Sequence, residues 1–407
     1  MSYIDRELSK RPTSGDAPFG LNEIFFSRTN DRGLVQSGNE VFRRVSHFEW
    51  EELLGSPHKI IRHPDMPRGV FQLFWETIKR GEHIGAYVKN KSKDGLYYWV
   101  FAVVIPCEGG YLSVRIKPSS PLFEDVKRAY TTLLGAENDE EFTAENSRDM
   151  LLKWVTEKGF DDYEHFATYA LQEEMIRRDA SLGRETHVES EILRRAFTDA
   201  ASLRSETSGL VSDFSAMRTI PHNLRVIASR IEPSGGPVTV LSQNYGVMSR
   251  SMSEWFEANV IGPDSNFSKL KDLVNNASFV DGLVRVLEEC VQQFEGEERT
   301  GAAINVESEL ELLGVLSSEQ STESERGLQE VYDEATRITD ACKTMQRQFL
   351  GLSSTRVLCK IESARLPESG ETLSEIIDQL GAFQEKIMQR LERITKLCES
   401  IRGISDA

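Results

Sequence analysis

Ten consecutive residues, His58-Lys59-Ile60-Ile61-Arg62-His63-Pro64-Asp65-Met66-Pro67, put two imidazoles, a guanidinium and a carboxylate into one short stretch. Such side chains suit an anionic or hydrogen-bonding ligand, because guanidinium makes paired contacts with planar oxyanions. The prolines keep His63 and Met66 out of the helical range and stiffen the segment. Two plainer readings stand beside this one: Asp65 caps the helix that follows and pairs with Arg62, or the histidines take a metal. The histidine spacing fits no standard ligand pair and no third ligand is evident, which counts against the metal. Catalysis is not expected, since the sequence carries no Gly-x-Ser-x-Gly, no phosphate-binding loop and no kinase or cyclase signature.

The elements that must position this run are legible around it. Residues 1–20 are polar, with Pro12, Gly15 and Pro18, and are expected to form a flexible arm. Ile24–Thr29 and Leu34–Ser37 read as strands joined by the turn residues Asn30-Asp31-Arg32-Gly33. Short helices follow, with Val41, Phe42 and Val45 on one face and Trp50, Leu53 and Leu54 on the next. Beyond Pro67, the spacing of Val70, Phe71, Phe74, Trp75 and Ile78 predicts an amphipathic helix that Arg80-Gly81 ends. Ile84–Lys89, Tyr97–Ile105 and Tyr111–Ile116 read as three further strands. Two strands, a helical crossover and three antiparallel strands make an α+β domain over residues 21–120, and the space between sheet and crossover is where a small ligand commonly sits.

That order of elements is similar to a PAS domain. Asn39, Pro57-His58, the run Arg62–Pro67, Trp75, Val88-Lys89-Asn90, Asp94-Gly95 and Tyr98-Trp99-Val100 together resemble the sensory domain of the bacterial aerotaxis receptor. The resemblance implies a flavin adenine dinucleotide (FAD) cofactor and sensing of redox state. It ties Asn39, His58, Arg62, His63, Asp65, Trp75 and Asn90 to flavin binding or signalling. Read from their chemistry, Arg62 and His63 meet phosphates or a ring edge, Asn90 pairs with carbonyl and amide edges, and Trp75 and Trp99 stack or wall the pocket. The alternative for Trp99 and Phe101 is ordinary core.

Composition limits the rest. The chain has 407 residues, 39% of them hydrophobic, enough for two or three packed domains. A formal charge of −17 argues against nucleic-acid binding, which needs cations to replace counterions on phosphate. Five scattered cysteines with no Cys-x-x-Cys indicate reduced structural thiols. With no signal peptide or spanning segment evident, a cytoplasmic location is expected.

Residues 121–185 read as an acidic helical connector, with helices over Phe123–Leu134, from Met150, and from Tyr163 to Met175. Residues 186–407 read as an all-α bundle of long helices. Its clearest seam is Leu328, Val331, Ala335, Ile338, Cys342, Met345 and Phe349, in steps of 3 and 4. Ile387, Leu391, Ile394, Cys398 and Ile401 repeat it. Two segments resemble each other, Arg225-Val226-Ile227 before a Pro/Ser/Gly tip at 233–235 and Arg356-Val357-Leu358 before one at 367–370, which suggests two helical hairpins. The first is similar, in degenerate form, to the signalling hairpin of methyl-accepting chemotaxis receptors, but Glu232-Pro233-Ser234-Gly235 replaces part of that motif and Pro221 and Pro263 interrupt the flanking helices.

The expected protein is a flavin-based sensor, non-catalytic, whose helical half passes a redox or oxygen signal to a partner, by resemblance a chemotaxis kinase or its coupling protein. Self-association through the seams is a further expectation. A cofactor-free interaction scaffold and a haem-binding PAS sensor, with His58 or His63 as axial ligand, are the alternatives.

Overall fold

The computed structural model describes all residues except 1–10, 186, 218–219, 232–236, 263, 298–303, 365–369 and 404–407. The hairpin tips at 232–236 and 365–369, and Pro263, therefore lie outside the described residues.

A five-stranded antiparallel sheet organises the N-terminal half. The strands are β1 (Phe25–Asn30), β2 (Val35–Gly38), β3 (Ile84–Lys91), β4 (Tyr97–Cys107) and β5 (Gly110–Ile116), in the order β2-β1-β5-β4-β3. Between β2 and β3 run α1 (Glu40–Ser46), α2 (Trp50–Leu53), a 3₁₀ turn (His58–Ile61) and α3 (Arg68–Lys79). Asn39 starts α1: its carboxamide oxygen accepts from Phe42 N and Phe26 N, and its amide donates to the Ile24 carbonyl. At the β4–β5 turn Gly110 has φ +158°, and a Cβ there would lie 2.0 Å from the Thr29 carbonyl, so only glycine lets β1 approach. Both sheet edges are covered by the crossover. Val35 N donates to the Ser56 carbonyl along β2, and His63 N to the Lys89 carbonyl along β3.

Strand alternation gives the sheet two unlike faces. One carries Ser27, Thr29, Val88, Asn90, Ala102, Val104, Tyr111, Ser113 and Arg115 toward the crossover. The other carries Phe26, Tyr87, Trp99, Phe101, Val103 and Val114, which pack on helices later in the chain. Those include α4 (Pro121–Ala136) and α6 (Tyr163–Leu182), joined by α5 (Ala144–Glu157). Phe123 of α4 stacks on Tyr87 at 5.6 Å and meets Trp99 edge-on at 5.2 Å.

Two sequence expectations are corrected here. Residues 11–20 of the arm are tied down: Ala17 N donates to the Tyr97 carbonyl at 2.7 Å, Arg11 pairs with Asp94 at 2.6 Å, and Phe19 is buried against Phe25. The boundary at 186 also differs from the compact units. The first unit is Met1–Ser190 with Ser278–Glu325, and the second is Glu191–Ala277 with Arg326–Ala407. The cause is burial. Phe279, Leu283, Val286, Leu287, Cys290 and Phe294 of α10 (Asn266–Gly296) belong to the sheet's core, with Phe294 5.3 Å from Phe26. Arg178 of α6 secures them through Glu289 at 2.7 Å.

The second unit is helical, drawn from α7 (Val188–Met217), α8 (Ile220–Ile231), α9 (Pro237–Asn259), the start of α10, the later part of α11 (Val306–Ser363) and α12 (Gly370–Arg402). The seams found in sequence form its core: Val331, Ala335, Ile338, Cys342, Met345 and Phe349 are buried with Ile387, Leu391, Ile394, Cys398 and Ile401. Phe214 stacks on Phe256 at 4.1 Å. Arg390 reaches Glu206 at 2.9 Å and Asp213 at 2.6 Å.

If α10 is part of the first unit's core, cutting back Phe279 must unsettle it. This ring is 2% exposed and stacks on His83 at 4.3 Å. Phe279→Ala in the full chain is expected to cost about 3–5 kcal/mol, the range for a buried phenylalanine. Urea unfolding measures it, and a loss below about 1 kcal/mol would place the ring outside the core.

Candidate functional site

A cavity of about 120 Å³ lies between the inner sheet face and α3. That is room for about four waters at roughly 30 Å³ each. Its aromatic wall is Phe71, Phe74 and Trp75, one face of α3. The indole of Trp75 lies over Gly33, where a Cβ would come within 3.1 Å of it and where φ is +73°. Its polar wall is the sheet face, with Asn90 on β3, Ser113 and Arg115 on β5 and Ser27 on β1. Lys59, Arg62 and His58 also line it, and no carboxylate among the described residues does.

Four of the seven residues singled out by sequence therefore meet around one cavity: His58, Arg62, Trp75 and Asn90. The other three sit elsewhere. Asn39 is buried at the start of α1 with its hydrogen-bonding capacity used on backbone. His63 and Asp65 lie outside along the β3 edge, where Asp65 takes a hydrogen bond from Lys89 Nζ at 2.9 Å and Asp65 N donates to His63 Nδ1. That bond with Lys89 holds the Asp65 carboxyl below its ordinary range. Asp65 neither caps α3 nor pairs with Arg62. The α3 N-terminus is instead met by Glu137, whose carboxylate accepts from Arg68 N at 2.7 Å and from the Ser147 hydroxyl at 2.5 Å. Trp99 and Phe101 are on the opposite sheet face, as the core alternative had it.

Arg62 is half-buried, with its guanidinium 3.9 Å over the Phe71 ring and one N–H donating to the Met66 carbonyl at 3.3 Å. Burial pulls its pKa down. His58 keeps its surface toward the cavity and stacks parallel to Phe42. Its Nε2 lies 2.8 Å from an Arg115 nitrogen. Arginine only donates, so Nε2 accepts and the ring proton is on Nδ1. Burial, then the charge of Arg115, pushes the His58 pKa down to about 3.

The polar wall is short of hydrogen-bond partners. Among the described residues, Asn90 Nδ2, Ser113 Oγ and the second terminal nitrogen of Arg115, all buried, have none, and neither does the Tyr98 hydroxyl on the same sheet face. Each such orphan costs about 1–3 kcal/mol. Sequence reading passed over Ser113 and Arg115 as strand. The signal was present: Tyr111, Ser113 and Arg115 alternate with Leu112, Val114 and Ile116, placing every polar residue on one face of a buried strand.

Residues 37–110 match the family model of the PAS fold. With the five-stranded sheet and its helical crossover, that makes the N-terminal domain a PAS domain. It is similar to the Aerotaxis receptor of Escherichia coli, 35% identical over 133 residues that cover 31% of this chain and 26% of the receptor. It is also similar to Biofilm dispersion protein BdlA of Pseudomonas aeruginosa, 28% identical over 79 residues, 19% of each chain. The chain thus spans about a quarter or less of these relatives' lengths. A solved light-oxygen-voltage domain is 21% identical with a TM-score of 0.22, over 29% of this chain and 87% of that one. Among the described residues no helix is long and apolar enough to cross a membrane.

The half-buried, neutral His58 carries a pH signature. Unfolded, the ring takes up its proton near pH 6.5, whereas folded it resists until about 3. The unfolded chain binds more protons between these values, so this contribution is whole above pH 6.5 and is lost as pH falls toward 3. His58→Gln, which keeps an acceptor for Arg115 but cannot titrate, should flatten the stability–pH curve there by at most about 1.4 kcal/mol per pH unit. Urea unfolding from pH 7 to 4 tests it; parallel curves would mean that His58 is not buried as a neutral ring.

Proposed function

We propose that this is a non-catalytic sensory protein, acting in the cytoplasm, whose PAS cavity holds a flavin, FAD in the form expected from the aerotaxis-receptor resemblance. The observation that carries the reading is the cavity's own mismatch: an aromatic wall faces a polar wall whose Asn90 and Ser113 groups lack partners. A flat heteroaromatic ring with a carbonyl and amide edge matches both walls. A flavin supplies a reversible redox centre whose charge and hydrogen bonding differ between its states.

This chain's residues then have distinct parts. Asn90 and Ser113 hold the polar ring edge, Phe71, Phe74 and Trp75 cover its face and exclude water, and Lys59 and Arg62 meet phosphate. Both walls lead into the connector. At α3, Gly69 N donates to Ser147 Oγ at 3.2 Å, and a Cβ on Gly69 would lie 2.3 Å from the α5 backbone. From β3, Tyr87 donates to buried Glu174 of α6 at 2.7 Å. A change of hydrogen bonding at Asn90 or of packing at Trp75 is carried through these contacts and biases the helical half toward a partner, by resemblance a chemotaxis kinase or coupling protein. Such a bias is limited to the ligand's difference in affinity for the two arrangements.

A cofactor-free scaffold is the second reading, and the cavity size favours it: about 120 Å³ is below the roughly 300–1,000 Å³ of typical ligand pockets, so a flavin requires the α3 side chains to draw back. A haem sensor fits less well because His58 Nε2 already accepts from Arg115.

The visible spectrum of the purified full chain separates the three. A flavin band that stays with the protein through gel filtration, as isolated or after incubation with FAD, is the expected result. A colourless protein after that incubation would overturn the flavin reading in favour of the scaffold, and a Soret band would do so in favour of haem.

A further inference from the structure

We propose that Arg115 is the residue that decides which ligand the cavity accepts, by requiring a negatively charged or strongly accepting atom beside His58 and Ser27. This rests on the flavin reading of the same cavity and adds a residue that neither the sequence motif nor the resemblance singled out.

The argument begins with what surrounds the guanidinium. Arg115 is 4% exposed, on the central strand β5. One terminal nitrogen serves two acceptors, Ser27 Oγ at 2.9 Å and His58 Nε2 at 2.8 Å. The other has no acceptor among the described residues. Both acceptors in use are neutral, and no carboxylate among the described residues is hydrogen-bonded to it. The lining offers no acid either, and instead adds Lys59 and Arg62. Burial lowers the Arg115 pKa only to about 10, so the side chain is cationic at neutral pH.

A buried cation without a counter-charge is unfavourable, and proteins ordinarily place a carboxylate beside it. A chain with 65 Asp and Glu residues against 48 Lys and Arg had acids to spare, yet brings none here. The missing partner is supplied by whatever occupies the cavity. His58 orients the guanidinium in this arrangement, accepting from one terminal nitrogen through Nε2 while the second stays uncommitted. A cation so placed stabilises whichever form of a redox ligand carries more negative charge, so it raises the ligand's midpoint potential as well as its affinity.

A structural role and a ligand-selecting role predict opposite results in the protein without ligand. The full chain is prepared free of cofactor as wild type, Arg115→Lys and Arg115→Gln, and each is melted, titrated with FAD and, when loaded, poised for its midpoint potential. The expected Gln variant melts at or above wild type, since an unpaired buried charge is gone, binds FAD about 30-fold or more weakly, as loss of one partner of a buried charged contact does, and has a more negative potential. Lys is expected between the two. A Gln variant that melts well below wild type would overturn the proposal by showing that Arg115 holds the fold. Wild type and Gln variant with the same FAD affinity and potential would overturn it while leaving the flavin reading intact. Wild type that takes up no FAD would overturn both.

Discussion

Burial of one sheet on both faces is the constraint from which the first unit's architecture follows. The outer face is a continuous apolar surface of Phe26, Tyr87, Phe101, Val103 and Val114 that cannot be left to water. Covering it draws in α4, α6 and the segment from Phe279 to Phe294, more than a hundred residues further along the chain than β5. That cover is close-packed, with rings meeting edge-on or stacked at 4.9 to 5.6 Å. Since packed interiors resist small displacements, the outer face is the stiff side of the domain. The inner face keeps the cavity, the partly exposed aromatics of α3 and the polar groups without partners.

The join between sheet and connector is polar. Glu174 is fully buried and accepts from Tyr87, from the Ser120 hydroxyl at 2.6 Å, and from Ser119 N at 2.5 Å and Ser120 N at 2.9 Å. One carboxylate thereby fixes three things together: β3, the residues leaving β5, and α6. Its cost of burial is met by several directed donors in place of a cation, which makes the geometry strict. Asn90 is three residues beyond Tyr87 on the same strand, and alternation sends the two side chains to opposite faces. The strand that contributes to the cavity on one face is thus anchored to the connector on the other.

Sequence carried the PAS domain to within one or two residues at most strand ends, because period-two alternation, the turn residues at 30–33 and the Arg80-Gly81 stop are local signals. It carried His58, Arg62, Trp75 and Asn90 to one cavity. It misplaced residues 11–20 because polar composition says nothing about backbone pairing with Tyr97 or an ion pair with Asp94. Residues 278–325 were assigned to the helical bundle for a related reason. Periodicity shows that a helix has an apolar face and does not show what it covers, and Phe279 and Phe294 are as suitable for a helix as for a sheet. His63 and Asp65 belong to the same motif as Arg62 but turn outward, since the two prolines that stiffen the run also carry it along the β3 edge.

Comparison of three arginines in the unit, Arg28 half-buried and Arg178 and Arg115 buried, shows why location alone does not mark a functional one. Arg28 pairs with Glu309, with one of its hydrogen bonds at 3.0 Å, and joins β1 to the start of α11. Arg178 is fully buried, yet it meets the Leu21 carbonyl at 2.8 Å and the Glu289 carboxylate at 2.7 Å, so its charge is balanced within the chain and its work is to hold α10 against α6. Arg115 has the same chemistry and burial close to that of Arg178, but its hydrogen-bond acceptors are a hydroxyl and a neutral imidazole, and its guanidinium lies 5.8 Å from the centre of the Phe42 ring. The first two arginines close structural contacts between elements distant in sequence. The third also joins elements distant in sequence, β5 to β1 and to the 3₁₀ turn, but through neutral acceptors that line the same cavity and leave its charge unmatched. That imbalance borders the cavity, which is why its balance is assigned to a ligand there.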